Sequence, residues 1–207
     1  MIVAHAIVCV IGFLVCLPAG ALLARYLRTF SNKWYTGHWI IQFVFGGPII
    51  IAGVALGIQS VNSLHAVHLD DDHKKWGIGI FVLYFIQCAL GAIVHFFKPK
   101  TFTSRPPQNY LHAILGLAIV AFALKQVGNG IIDEWPTVTG KPVSQPARII
   151  WIVWCVVSNR FFLDFCSSFL FQVLPVLYFA GVALLPRQFK QEKAYRAAGD
   201  KSNHDDQ

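Results

Sequence analysis

The chain has 207 residues, 56% of them hydrophobic and 13% charged, with a net charge of +7 and a mean hydropathy of +0.55. A charged share this far below the ~25% of soluble domains excludes a water-soluble globular domain. The surplus of cations, spread over short loops between apolar stretches, reads as a topology signal and argues against nucleic-acid binding.

Apolar stretches of the ~20 residues that a membrane crossing requires are predicted at 2–27, 35–60, 76–97 and 110–130, with one further crossing within 149–185. The first opens on His5 and holds the small-residue run Pro18, Ala19, Gly20, Ala21. A secretory signal needs a basic segment ahead of a shorter apolar core, and no cation precedes Arg25, so 2–27 is read as a span. The second opens on His38. Beyond its end lie His65 and His68, which project away from the His38 face and read as loop or interface residues. His73 sits just ahead of the third span, His95 near the end of it, and His112 opens the fourth. His204 falls in the polar tail. The five cysteines, Cys9, Cys16, Cys88, Cys155 and Cys166, all lie in apolar stretches and read as buried thiols packing as small hydrophobes.

Loop charge orients the chain. The side reached after the first and third spans receives Arg25, Arg28, Lys33, Lys98, Lys100 and Arg105 and no acid. The opposite side receives Lys74, Lys75, Lys141 and Arg148 together with Asp70, Asp71, Asp72, Asp133 and Glu134. The positive-inside rule then puts the N-terminus outside the cytosol. The tail, 187–207, is basic and then polar; it reads as cytosolic and disordered, which requires an odd number of spans. Five is the expected count. The region 149–185 is too long for one crossing and is interrupted by Ser158, Asn159, Arg160 and Asp164. Residues 157–172 read as a translated intron, because Val157–Ser158 can be encoded by a GTAAGT donor and Gln172 by a CAG acceptor. Removing them leaves one ordinary span.

Ionisable side chains are costly in hydrocarbon, so intramembrane histidines are candidate functional residues. Consecutive helices run antiparallel, which gives His5 and His73 one depth and His38 and His112 another. Two pairs at two depths, from alternate helices of a four-helix bundle, suit bis-imidazole ligation of two haems. At 100° per residue, His5 shares its face with Cys9, Gly12, Cys16 and Gly20, and His38 with Gln42, Gly46, Gly53 and Gly57. His73 shares its face with Gly77, Tyr84, Cys88, Gly91 and His95, and His112 with Gly116, Ile119, Ala123 and Gly130. Such stripes offer room for a porphyrin, and they also let helices pack closely. His95, Gln42 and Tyr84 are candidate secondary haem contacts, with His95 a rival ligand. Lys98, Lys100 and Arg105 read first as topology determinants and are also candidate contacts for an anionic donor. Trp76 and Tyr84 lie near the expected electron path.

The segments HAI…LPAGALLARYLR (from His5), WYTGH (from Trp34), HKKWGIGIF (from His73) and YLHAILG (from Tyr110) resemble the cytochrome b561 family, in the branch joined to DOMON domains. The resemblance covers about residues 4–135. It implies an all-α membrane domain over 1–186, a four-helix di-haem bundle plus a fifth C-terminal span. It also implies two non-covalent haems b, held by His5 with His73 and by His38 with His112. The implied activity is that of a transmembrane oxidoreductase, passing electrons from a cytosolic reductant such as ascorbate to monodehydroascorbate, a ferric chelate or a separate extracellular redox protein. No DOMON domain precedes the first span, and DDDHKKWG departs from the serine-leucine-histidine-serine-tryptophan motif of ascorbate-type relatives, which leaves the outer substrate open. Two other readings stand beside this one: a quinol-dependent cytochrome b, and a non-catalytic scaffold with structural histidines.

Overall fold

In lipid every backbone polar group must be satisfied within its own segment, so long apolar stretches become helices. A computed structural model of the chain, which describes residues 1–31, 33–97, 106–158, 173–191 and 193–194, has four that are long and apolar enough to cross a membrane. They are α1 (Ile2–Leu27), α2 (Trp34–Ser63), α3 (Asp72–Phe96) and α4 (Pro107–Thr139). Shorter helical segments follow, among them α5 (Gln145–Ser158) and α6 (Val173–Ala180), with helical turns continuing over 181–191. No strand occurs among the described residues.

The ends of the helices follow local chemistry. Asp71 caps α3 by accepting the Lys74 backbone N–H at 2.8 Å, which starts the helix one residue before His73. His73 therefore lies within the first turn of α3, not ahead of it as the sequence suggests. Pro107 opens α4, where its missing N–H leaves no bond unmade. That helix also runs past its expected end at 130 through a π-turn, Gly130–Glu134, and stops only where Gly140 takes a φ of +66°. Asp133 and Glu134 are thus helical, not loop residues. At the far end of α2, His65 adopts a left-handed φ of +52°, and His68 hydrogen-bonds Asn62 at 2.7 Å; both are exposed loop residues, as expected.

Each of the first two helices also carries a π-turn, Ile11–Cys16 in α1 and Ile40–Phe45 in α2. Each wide turn rotates the residues beyond it relative to an ideal helix, and such turns occur often at functional sites.

The four long helices pack α1 on α2, α2 on α3, α3 on α4, and α4 back on α1, which makes α1 and α3 diagonal partners and α2 and α4 the other diagonal. The buried core is Phe13, Leu14, Leu17, Ile50, Ile80, Tyr84, Ile119, Ala123 and Leu124. Along every helix, these residues fall between the two histidine levels. Large apolar side chains elsewhere face outward, as lipid contact demands.

The short helices meet opposite ends of this bundle. In α5, Trp151 packs against Gly128 of α4. In α6, the Leu177 carbonyl accepts the Tyr26 hydroxyl of α1, and Arg25 lies 5.3 Å from the Tyr178 ring centre. Of the suspected intron, 159–172 lies outside the described residues, as do Lys98, Lys100 and Arg105.

Candidate functional site

Because α1 and α3 stand diagonally and start at the same end, His5 and His73 meet across the bundle axis. Their ring centroids are 6.2 Å apart, with planes at 80°. His38 and His112 do the same on the other diagonal, at 6.2 Å and 79°. Gly20 lies fifteen residues beyond His5 in α1 and accepts from His38, so at 1.5 Å per residue the two levels are about 22 Å apart.

The spacing within each pair has a chemical meaning. With ring bonds of about 1.33 Å an imidazole nitrogen sits about 1.1 Å from its ring centre, and a metal–imidazole bond runs about 2 Å. Two rings on opposite sides of one metal ion therefore have centres ~6.2 Å apart by the same values. Among the described residues no group of three or more His, Cys, Asp and Glu could hold a metal ion. A pair of axial donors suits a metal that brings its remaining ligands with it, as a metalloporphyrin does.

The outer ring nitrogens of His5 and His38 are oriented by backbone. His5 Nδ1 lies 2.7 Å from the Gly53 carbonyl and His38 Nδ1 lies 2.9 Å from the Gly20 carbonyl. For His73 the neighbour of Nδ1 is the Gln126 amide, 3.1 Å away, and His112 Nδ1 has no hydrogen-bond partner. A proton held at Nδ1 leaves Nε2 as the donor atom for a metal.

The glycine stripes serve close packing, one of the two uses the sequence allows them. A Cβ at Gly12 would stand 2.7 Å from Ile50, and one at Gly53 would stand 2.7 Å from Cys9 Sγ, so these glycines let α1 and α2 close on each other. Others seat the imidazoles themselves. A Cβ at Gly57 would lie 2.8 Å from the His5 ring, and one at Gly91 or Gly130 would lie 3.0 Å from the ring of His112 or His73.

The remaining sequence candidates are placed away from the pairs or bonded into the scaffold. His95 stacks on Tyr35 with centroids 3.6 Å apart and planes at 5°. Tyr84, almost wholly buried, donates to the Gln42 carbonyl at 2.8 Å, and Gln42 donates to the Leu17 carbonyl at 2.9 Å. Trp76 lies under the Lys125 ammonium, 5.5 Å from it, and lines a cavity of about 430 Å³ beside His73, together with Asp71, Asp72, Asn129, Asp133 and Glu134. At its rim, Lys74 pairs with Asp70 at 2.6 Å and Asp71 at 2.7 Å. Burial works to raise the Asp71 pKa, but the hydrogen bonds and charge of Lys74 hold this carboxyl below its ordinary value.

Sequence reasoning missed Gln87 and Gln126. Gln87 Nε2 donates to the His112 carbonyl at 2.7 Å, and Gln126 Nε2 donates to the His73 carbonyl. The signal was available: α3 and α4 carry the same pattern, His-x3-Gly-x9-Gln-x3-Gly, as His73, Gly77, Gln87, Gly91 and as His112, Gly116, Gln126, Gly130.

Residues 4–135 match the family of eukaryotic cytochrome b561. Two cytochrome b561 and DOMON domain-containing proteins of Arabidopsis thaliana are similar to this chain. One is 35% identical over 129 residues, covering 61% of the chain and 30% of the relative; the other is 30% identical over 135 residues, covering 62% and 31%. The chain thus spans about a third of the length of these relatives. No solved structure matches significantly.

Proposed function

The chain belongs to the eukaryotic cytochrome b561 family, and from that premise we propose that it carries electrons across a membrane through two b-type haems, one held by His5 and His73 and the other by His38 and His112. The observation that carries this reading is the pair of diagonal imidazole couples, each 6.2 Å between centroids, at opposite ends of one apolar core. Held by these four histidines, two haems would supply one-electron carriers.

The chain's own residues do the rest. At His5 and His38 a backbone carbonyl of the neighbouring helix meets Nδ1, which would hold the proton there and free Nε2 for the iron. The core from Phe13 to Leu124 fills the space between the levels and keeps water out of it. Loop charge supports an orientation with His38 and His112 toward the cytosol and His5 and His73 on the far side. The reductant is then cytosolic, with ascorbate the leading candidate, and the acceptor is monodehydroascorbate, a ferric chelate or a separate redox protein outside. In this reading α5 and α6 belong to a single fifth span, supported by their contacts at opposite ends of the bundle.

A reduced-minus-oxidised visible spectrum of the purified protein is expected to show a b-type α-band worth two haems per chain. His38→Ala should remove one of them and His5→Ala the other. A spectrum without the band would return the chain to the scaffold reading, and reduction by quinol but not ascorbate would favour the quinol-dependent one.

A further inference from the structure

The glutamines that the repeated pattern brings to the histidines do more than pack. Gln126 gives its side-chain N–H to the backbone carbonyl of His73, and the same Nε2 lies 3.1 Å from Nδ1 of the His73 ring. At the other level Gln87 gives its side-chain N–H to the backbone carbonyl of His112 at 2.7 Å. The match follows from chain direction. In both helices the glutamine lies fourteen residues after the histidine, and α3 and α4 are antiparallel, so each histidine of one faces the glutamine of the other.

Glycines make room for the glutamine amides and for the histidine rings. A Cβ at Gly77 would stand 3.1 Å from Gln126 Nε2, and one at Gly116 would stand 2.8 Å from Gln87 Nε2. Gly130 and Gly91 seat the rings of His73 and His112. His5 and His38 have no such arrangement. Their carbonyl partners are Gly53 and Gly20, which carry no side chain to reach back.

We propose that Gln87 and Gln126 are positioning residues, each clasping one axial histidine through its backbone carbonyl, so that every site joins a histidine anchored at its backbone, from α3 or α4, to one whose ring meets a backbone carbonyl, from α1 or α2. The inference rests on the di-haem reading above. A histidine whose backbone is anchored from the neighbouring helix presents a better oriented ligand than a free one. Loosening the clasp should therefore raise the reduction potential of that haem and weaken its retention by about 10- to 100-fold.

The test compares Gln126→Met and Gln87→Met, which keep side-chain length and remove the amide, in detergent-purified holoprotein. Low-temperature EPR and redox titration read each haem, with His5→Ala and His38→Ala assigning the two signals. Gln126→Met is expected to shift only the signal that His5→Ala removes, and Gln87→Met only the one that His38→Ala removes. Gly77→Ala gives an independent route, because its methyl displaces the Gln126 amide. It should reproduce the Gln126→Met shift when Gln126 is present and be silent beside Gln126→Ala. Shifts in both haems, in neither, or a Gly77→Ala effect indifferent to residue 126 would overturn the clasp while leaving the di-haem reading intact. Absence of haem from the wild-type protein would overturn both.

Discussion

Gly57→Ala separates a metal-binding role for the histidines from a packing role. The added Cβ would stand 2.8 Å from both Cε1 and Nδ1 of His5, against an ordinary carbon contact of about 3.5 Å. The ring must move by roughly 0.7 Å to restore that contact, and this breaks the 2.7 Å contact of Nδ1 with the Gly53 carbonyl. Ligand distances at metal sites tolerate only about 0.2 Å, and a lost orienting bond typically costs about 10- to 100-fold in metal affinity. Global stability should fall by no more than about 2.5 kcal/mol, since alanine in a helix interior gains about 0.5–1 kcal/mol over glycine and local overpacking costs about 1–3 kcal/mol. The assay is haem stoichiometry by pyridine haemochrome beside a thermal unfolding curve. The folded variant is expected to lose the haem that His5→Ala loses and to keep the other, whose level lies about 22 Å away. Full retention of both haems in the folded protein would refute the assignment of His5.

Tyr84→Phe removes the hydroxyl bond to the Gln42 carbonyl in the centre of the core; a stability loss of about 0.5–1.5 kcal/mol is expected in thermal unfolding, with both haems retained. His95→Leu breaks the stack on Tyr35, worth about 0.5–1.5 kcal/mol, and should leave haem content unchanged, which the same haemochrome assay checks. Asp71→Ala removes the cap of α3 two residues before His73, at a cost of about 1 kcal/mol, and hydrogen exchange should show the first turn of α3 opening. The Asp71 pKa is held low in the folded protein, so its contribution is fully present above the ordinary carboxyl range and is lost as pH falls through the depressed value. Stability of the wild type relative to Asp71→Ala should thus shrink on acidification, and a difference independent of pH would contradict the capping role.

Much of the architecture is written locally. Four apolar stretches, each bounded by cations or acids, are enough to predict four crossings, because the hydrocarbon layer admits only helices of about that length. Antiparallel connection then sets the heights of His5, His38, His73 and His112 without reference to any contact. The limits appear where local signals mislead: the acids Asp133 and Glu134 look like loop residues, but a π-turn carries α4 through them to Gly140. Gln42 and Tyr84 share faces with histidines, yet their polar atoms are taken up by backbone carbonyls of neighbouring helices.

Composition and chain direction alone determined that this protein is a membrane bundle with histidines at two depths, because depth is counted in residues along an axis. Only tertiary packing decided which helices stand diagonally, that glycines admit imidazoles and a partner helix instead of leaving open slots, and that Gln87 and Gln126 reach back to the histidines facing them. Those are matters of rotation about each axis, and rotation is set by the π-turns of α1 and α2 and by the side chains each helix meets, neither of which a uniform helical period can express.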